Sequence, residues 1–143
     1  RNLSLVVSLV IIAYLGWSTA SSLGAPNVNS SSGAITLQER VSDANGLVVT
    51  VRPSPFSFDS SMSFEIKMDT HSGDLSYDMT KVAYLQASDG QKYLPTEWTG
   101  SPPGGHHREG NLIFPKLKGK PTSIMLVLQD LYGVDRTFEW NLA

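Results

Sequence analysis

From Ile35 onward, apolar and polar residues alternate in short runs separated by Gly, Pro, Asn, Asp and Ser. The cleanest run is "SMSFEIKMDT" (Ser61 to Thr70), where Met62, Phe64, Ile66 and Met68 share one parity and Ser63, Glu65 and Lys67 the other. Side chains on a strand point alternately to opposite faces, so this period predicts a half-buried strand. "GLVVTVRP" (Gly46 to Pro53) is rich in β-branched residues and predicts another. "KVAYLQA" and "KYLPTEW", joined across Ser88-Asp89-Gly90, predict a hairpin whose Asp-Gly pair supplies the positive φ angles of a tight turn. "NLIFP", "SIMLVLQD" and "RTFEWNL" complete the set, with Ile124, Leu126 and Leu128 on one face of the second and Phe138, Trp140 and Leu142 on one face of the third. "DLSYDMTKVAYL" (Asp74 to Leu85) is the one stretch where a helical turn fits between strands. About seven or eight short strands broken by Gly and Pro predict a mainly β domain over residues 35–143, an antiparallel β-sandwich. The immunoglobulin-like type is the first choice, without its disulfide, and a small β-barrel is the alternative.

The amino-terminal pattern is different in kind. "RNLSLVVSLVIIAYLGWSTA" carries one charge, Arg1, and is otherwise apolar or small. A helix of about 20 residues spans roughly 30 Å, the hydrocarbon thickness of a bilayer. Residues 1–20 therefore predict a single-pass transmembrane anchor. Arg1 favours a cytoplasmic amino terminus, and Tyr14 and Trp17 lie toward the far interface. That orientation predicts a cell-membrane protein whose carboxy-terminal domain is periplasmic or extracellular. The competing reading is a signal peptide cleaved after Ser18-Thr19-Ala20. "SSLGAPNVNSSSGA", residues 21–34, has the composition of a linker, and Asn29-Ser30-Ser31 fits a glycosylation sequon.

Charge and cysteine narrow the field. The chain has 143 residues, room for one ordinary domain, and 11 basic against 13 acidic residues. No basic run of the kind that grips phosphate backbones is present, so no nucleic-acid partner is expected. With no cysteine, disulfides, thiolate zinc sites, blue copper and a cysteine nucleophile are all excluded. There is no Gly-x-Ser-x-Gly elbow, phosphate-binding glycine loop or His-Glu-x-x-His, so the chain is not read as an enzyme.

The candidate chemistry lies in the three histidines. "MDTHSGDLSYDM" offers Asp69, His71, Asp74 and Asp78, and "GGHHREG" offers His106, His107 and Glu109. If the fold brings these loops together, His71, His106 and His107 with Asp69 or Asp78 could bind copper or zinc, since imidazole suits both. The structural alternative is equally concrete. Neighbours on a regular strand face opposite ways, so His106 and His107 could not share a metal there. His71, Asp69 and Asp78 could simply hold turns by accepting or donating local hydrogen bonds.

"FEIKMDTHSGDL", then "LPTEWTGSPPGGHHREGNLIFP" and a closing "RTFEWNL", resemble a family of exported prokaryotic β-rich domains. The matching residues are Thr70, His71, Ser72, Trp98, Gly100, Gly104 to Arg108, Phe114 and Pro115, within roughly Val49 to Leu142. The resemblance implies an exported β-rich domain and no particular activity.

Together these features predict a non-catalytic accessory subunit of a larger membrane protein assembly, whose partners are the other subunits and the lipid bilayer. Metal binding or delivery is the first alternative. A pilin-like filament subunit is the second, although Leu5 stands where bacterial pilins carry Glu and Gly16 and Gly24 would interrupt a long pilin helix.

Overall fold

The computed structural model describes residues 33–143. In chain order its elements are β1 (Arg40–Ala44), β2 (Leu47–Pro53), β3 (Met62–Thr70), α1 (Met79–Val82), β4 (Ala83–Ala87), β5 (Lys92–Tyr93), β6 (Glu97–Gly100), β7 (His107–Phe114), β8 (Ser123–Leu131) and β9 (Val134–Asn141). They form two antiparallel sheets, one of five strands in the order β1-β2-β3-β7-β6 and one of four in the order β5-β4-β8-β9. The sheets pack face to face as a β-sandwich. The anchor read over 1–20, and the linker read over 21–34 apart from Gly33 and Ala34, lie outside the described residues. Among the described residues no helix is long and apolar enough to cross a membrane.

The alternation explains the packing. Register pairs Val49 with Met68 and Val51 with Ile66, so residues of one parity gather on the inner face. They meet Leu85, Ile124, Leu126, Leu128, Phe138 and Trp140 of the second sheet, all buried. Each such side chain removed from water contributes about 1.5–3 kcal/mol. Phe64 sits at the centre, edge-on to Phe114 with ring centroids 5.7 Å apart and against Trp140 at 5.6 Å. The segment before β1 runs beside β9, where Gln38 O accepts from Trp140 Nε1 at 2.7 Å.

The expected strands are present, with three differences. β1 lies in "RVSDA", whose mostly exposed positions give no apolar face to detect. The Asn45-Gly46 turn makes it a strand, since both residues have positive φ, 50° and 78°, as a two-residue hairpin requires. The stretch Lys92–Trp98 is not one strand. Pro95 cannot donate to a ladder, and the chain crosses there from β5 in one sheet to β6 in the other. β7 begins at His107 rather than near Asn111, because Gly110 and the charged residues before it mask a continuous pairing with β3. The helical turn falls where expected, at Met79–Val82.

Two ends follow from this topology. The β1–β2 turn, the β3–β4 and β6–β7 connections and the β8–β9 turn lie at one end. The β2–β3, β4–β5 and β7–β8 connections lie at the other. The chain joins the sandwich at that second end, through the pairing of Ile35 with Phe56.

Candidate functional site

All three histidines lie at the first end, and the two loops that carry them meet. Thr70 N donates to His106 O at 2.9 Å, Leu75 N to Gly105 O at 3.0 Å and Gly104 N to Leu75 O at 3.0 Å. Asp74 Oδ1 accepts from Gly105 N at 2.6 Å. Gly104 and Gly105 turn the chain back at φ 116° and 79°, which L side chains rarely adopt. The Gly-Gly lead-in is therefore the hinge of a backbone clasp.

A buried arginine completes it. Arg108 follows the histidines on β7 and shares the parity of Leu112 and Phe114, so its side chain turns inward. Its guanidinium donates to Leu75 O at 3.1 Å and to Tyr77 O, and its Nε to Ser101 O at 3.2 Å. It thereby binds the Asp74–Asp78 stretch to the start of the β6–β7 loop. It lies over Trp98, 5.2 Å from the ring centroid, and Trp98 Nε1 also donates to Ser101 O. Burial pushes the Arg108 pKa down, with the Asp78 charge opposing. An arginine keeps its charge through the physiological range.

Trp98 needs the glycines around it. Gly100 pairs with Gly110 across β6 and β7, and a Cβ at Gly110 would lie 2.6 Å from Trp98 Cζ2. A Cβ at Gly100 would lie 2.4 Å from both Glu109 O and Gly110 Cα, which are backbone and cannot yield. Gly100→Ala should therefore peel the edge strand β6 and cost about 2 kcal/mol. Urea unfolding followed by Trp fluorescence would measure it; an unchanged midpoint would mean that the strands separate freely.

On the solvent face, the β3–β7 register sets Asp69 opposite His107 and Lys67 opposite Glu109. His107 Nδ1 and Asp69 Oδ1 are 2.6 Å apart, and Lys67 Nζ is 3.5 Å from Glu109 Oε2. Exposed pairs of this kind contribute little to stability, at most about 1 kcal/mol each. Lys67, Asp69, Ser101, His107, Arg108 and Glu109 line a shallow, open depression. Its walls are polar, unlike the concave apolar pockets that enclose small ligands. Ser101 Oγ accepts from Glu109 N at 3.3 Å, and no hydrogen bond joins it to His107 among the described residues.

Of the five candidate ligands, the structure places Asp69 and His107 in contact. Asp78 caps α1, accepting from Thr80 N at 3.1 Å and Thr80 Oγ1 at 2.7 Å. The Thr80 hydroxyl holds its carboxyl below the ordinary range. His71 and His106 are exposed, and their rings have no hydrogen-bond partner among the described residues. No group of three or more His, Asp or Glu placed to hold a metal ion occurs among the described residues.

Sequence reasoning missed a second buried arginine. Arg136 on β9 is 2% exposed and donates to Ala44 O at 2.8 Å, Leu47 O and Ser42 Oγ at 3.2 Å and Leu131 O at 3.3 Å. It ties the β1–β2 turn to the β8–β9 turn. Its signal was its parity with Phe138 and Trp140, which places a charge on the core face. Thr70 and Tyr132 strengthen the same end: Thr70 Oγ1 lies between Gly46 O and Ser72 O, and Tyr132 Oη donates to Ser72 O at 2.7 Å. Thr70, Arg108 and Arg136 are the buried polar residues of the described domain, and all hold this end.

No protein-family model, curated protein or solved structure matches the chain.

Proposed function

We propose that the chain is a non-catalytic, single-pass membrane-anchored accessory subunit whose extracytoplasmic sandwich offers the histidine loops to a partner subunit. One observation carries this reading. His71, His106 and His107 stand exposed on a rigidly clasped loop pair, at the end of the sandwich opposite the one where the chain enters. Rigid loops on a β scaffold lose little freedom on binding, which suits recognition.

The finer fold assignment supports it by analogy. With β1 set aside, the order β2-β3-β7-β6 over β5-β4-β8-β9 corresponds to the A-B-E-D and C′-C-F-G sheets of an immunoglobulin-like fold. The histidine loops then occupy the B–C and D–E connections. Variable domains bind through one cluster of end loops, although a fold alone does not assign a function.

The test is site-specific photocrosslinking in native membranes, with the reactive residue at position 106 or at exposed Thr137 on β9. A discrete heavier species from position 106, and none from 137, is the expected result. Equal, diffuse labelling from both would remove the partner-contact reading.

The Asp69–His107 pair favours a second reading, copper or zinc binding. A carboxylate on Nδ1 fixes the tautomer and leaves Nε2 to a metal, the usual arrangement of a ligating imidazole. Among the described residues His107 is the one imidazole so oriented, so this reading requires further ligands to be recruited on binding. It predicts at most about one metal per chain by plasma mass spectrometry. The metal should be lost in His107→Ala and halved or less in Asp69→Asn. A metal-free, well-folded preparation leaves the partner-contact reading alone.

A further inference from the structure

The end where the chain enters carries a feature that the histidine loops do not use. Ile35 N donates to Phe56 O at 2.8 Å, and Phe56 N to Ile35 O at 3.1 Å, which fixes the entry point in the β2–β3 connection. Beside it lies the β7–β8 connection, "PKLKGKPT". Phe58 and Asp59 of the first connection and Lys116 to Lys120 of the second line one shallow depression.

That second connection is held in shape. Leu117 is buried, Lys118 N donates to Tyr93 Oη at 2.8 Å and Gly119 turns the chain at φ 69°. The pinned backbone raises Lys116, Lys118 and Lys120 into solvent. None of the three joins an ion pair among the described residues. Asp59 is the carboxylate facing them across the depression. At the opposite end the exposed charges are mostly of the other sign, with Asp43, Asp74, Asp78, Asp130 and Asp135 around the histidine loops and Lys81 paired with Asp78. The Lys116–Lys120 connection is thus a local cluster of three lysines unpaired among the described residues. Its end of the domain also exposes Glu39, Asp59, Asp89 and Glu97, while the histidine end is mainly acidic.

We infer that the Lys116–Lys120 loop rests on anionic phospholipid headgroups of the bilayer that holds the anchor, standing the sandwich with its histidine end outward. The inference rests on the reading of residues 1–20 as a membrane span. A tether that enters beside the loop keeps the lysines near the bilayer surface, so even weak attraction acts at high effective concentration. Basic segments are drawn to anionic headgroups over about 10 Å, the Debye length at 0.1 M salt. The acidic end is repelled by the same surface, which gives the domain one preferred orientation.

The test reconstitutes the full chain in nanodiscs of phosphatidylcholine alone or with about 30% phosphatidylglycerol, enough to set up an anionic surface potential. Acetylation rates of individual lysines are then read by mass spectrometry, with Lys81 at the opposite end as internal reference. In anionic discs, Lys116, Lys118 and Lys120 should react about threefold or more slowly relative to Lys81, and about 0.5 M salt should abolish the difference. Equal rates in both lipids, or equal protection in both, would overturn the inference while leaving the anchor intact. Failure of the chain to enter nanodiscs at all would overturn the anchor reading and this inference together.

Discussion

Replacing Arg136 with alanine is expected to destabilise the domain by about 3–4 kcal/mol, as removal of a buried charged donor does. For a domain of this size that lowers Tm by more than about 10 °C. The guanidinium is enclosed, and its donors go to the carbonyls of Ala44, Leu47 and Leu131 and to the hydroxyl of Ser42. Truncation removes all of these bonds at once and leaves the carbonyls facing a void. The carbonyls belong to two different hairpins, so the loss also frees β1 from β9. Arg136→Met separates packing from hydrogen bonding, since it keeps an apolar stem of similar length without the donors. Most of the loss should persist in it. Arg136→Lys should recover about half, because one ammonium can satisfy two of the four acceptors but cannot span the fork. The Arg136 Nε, which is buried without a partner, already costs the native protein part of this gain. Thermal denaturation by circular dichroism measures all three variants. A Tm within a few degrees of the parent in Arg136→Ala would show that water replaces the guanidinium without penalty.

Arg108→Ala is expected to cost about 3 kcal/mol, for the same reason at a different place. Its particular signature is local. Arg108 holds Leu75 O, Tyr77 O and Ser101 O, so its loss unfastens the two histidine loops from each other before it affects the sheets. The amides of Gly104 and Leu75, which close the clasp, should exchange at least about tenfold faster than in the parent. Those of Val49 and Leu126 in the core strands should change only with the global stability. Crosslinking through position 106 should weaken in parallel, since a loosened loop pair must be reordered on binding. Uniform acceleration across all amides would instead mark Arg108 as a general stabiliser with no special hold on the loops. Arg108→Gln should fall between, because one amide group can reach a single carbonyl but cannot keep the stack on Trp98.

The buried arginines show how much the linear pattern holds and where it stops. Arg108 shares parity with Leu112 and Phe114, and Arg136 with Phe138 and Trp140. Alternation therefore put both on the core side, yet a charged residue there reads from sequence as a break in the pattern. What it could not supply was the set of backbone carbonyls that converge on each guanidinium from other parts of the chain. The same holds for the histidines. Their placement around turns was legible, since Gly, Pro and Asp surround them, whereas their exposure was not. That the loops clasp through Gly104, Gly105 and Leu75, and that Asp69 faces His107, depended on the register of β3 against β7.

By itself the sequence determined the strand segments with strong alternation, their buried faces, the short helical turn and the apolar character of residues 1–20. Each of these is a property of neighbouring residues and needs no knowledge of partners. Only the tertiary structure decided that Lys92–Trp98 divides between two sheets, that polar "RVSDA" becomes an edge strand, and that two arginines lock one end while three lysines crown the other. Those outcomes depend on which distant groups come together, and a period of two along the chain carries no information about the partner a strand will find.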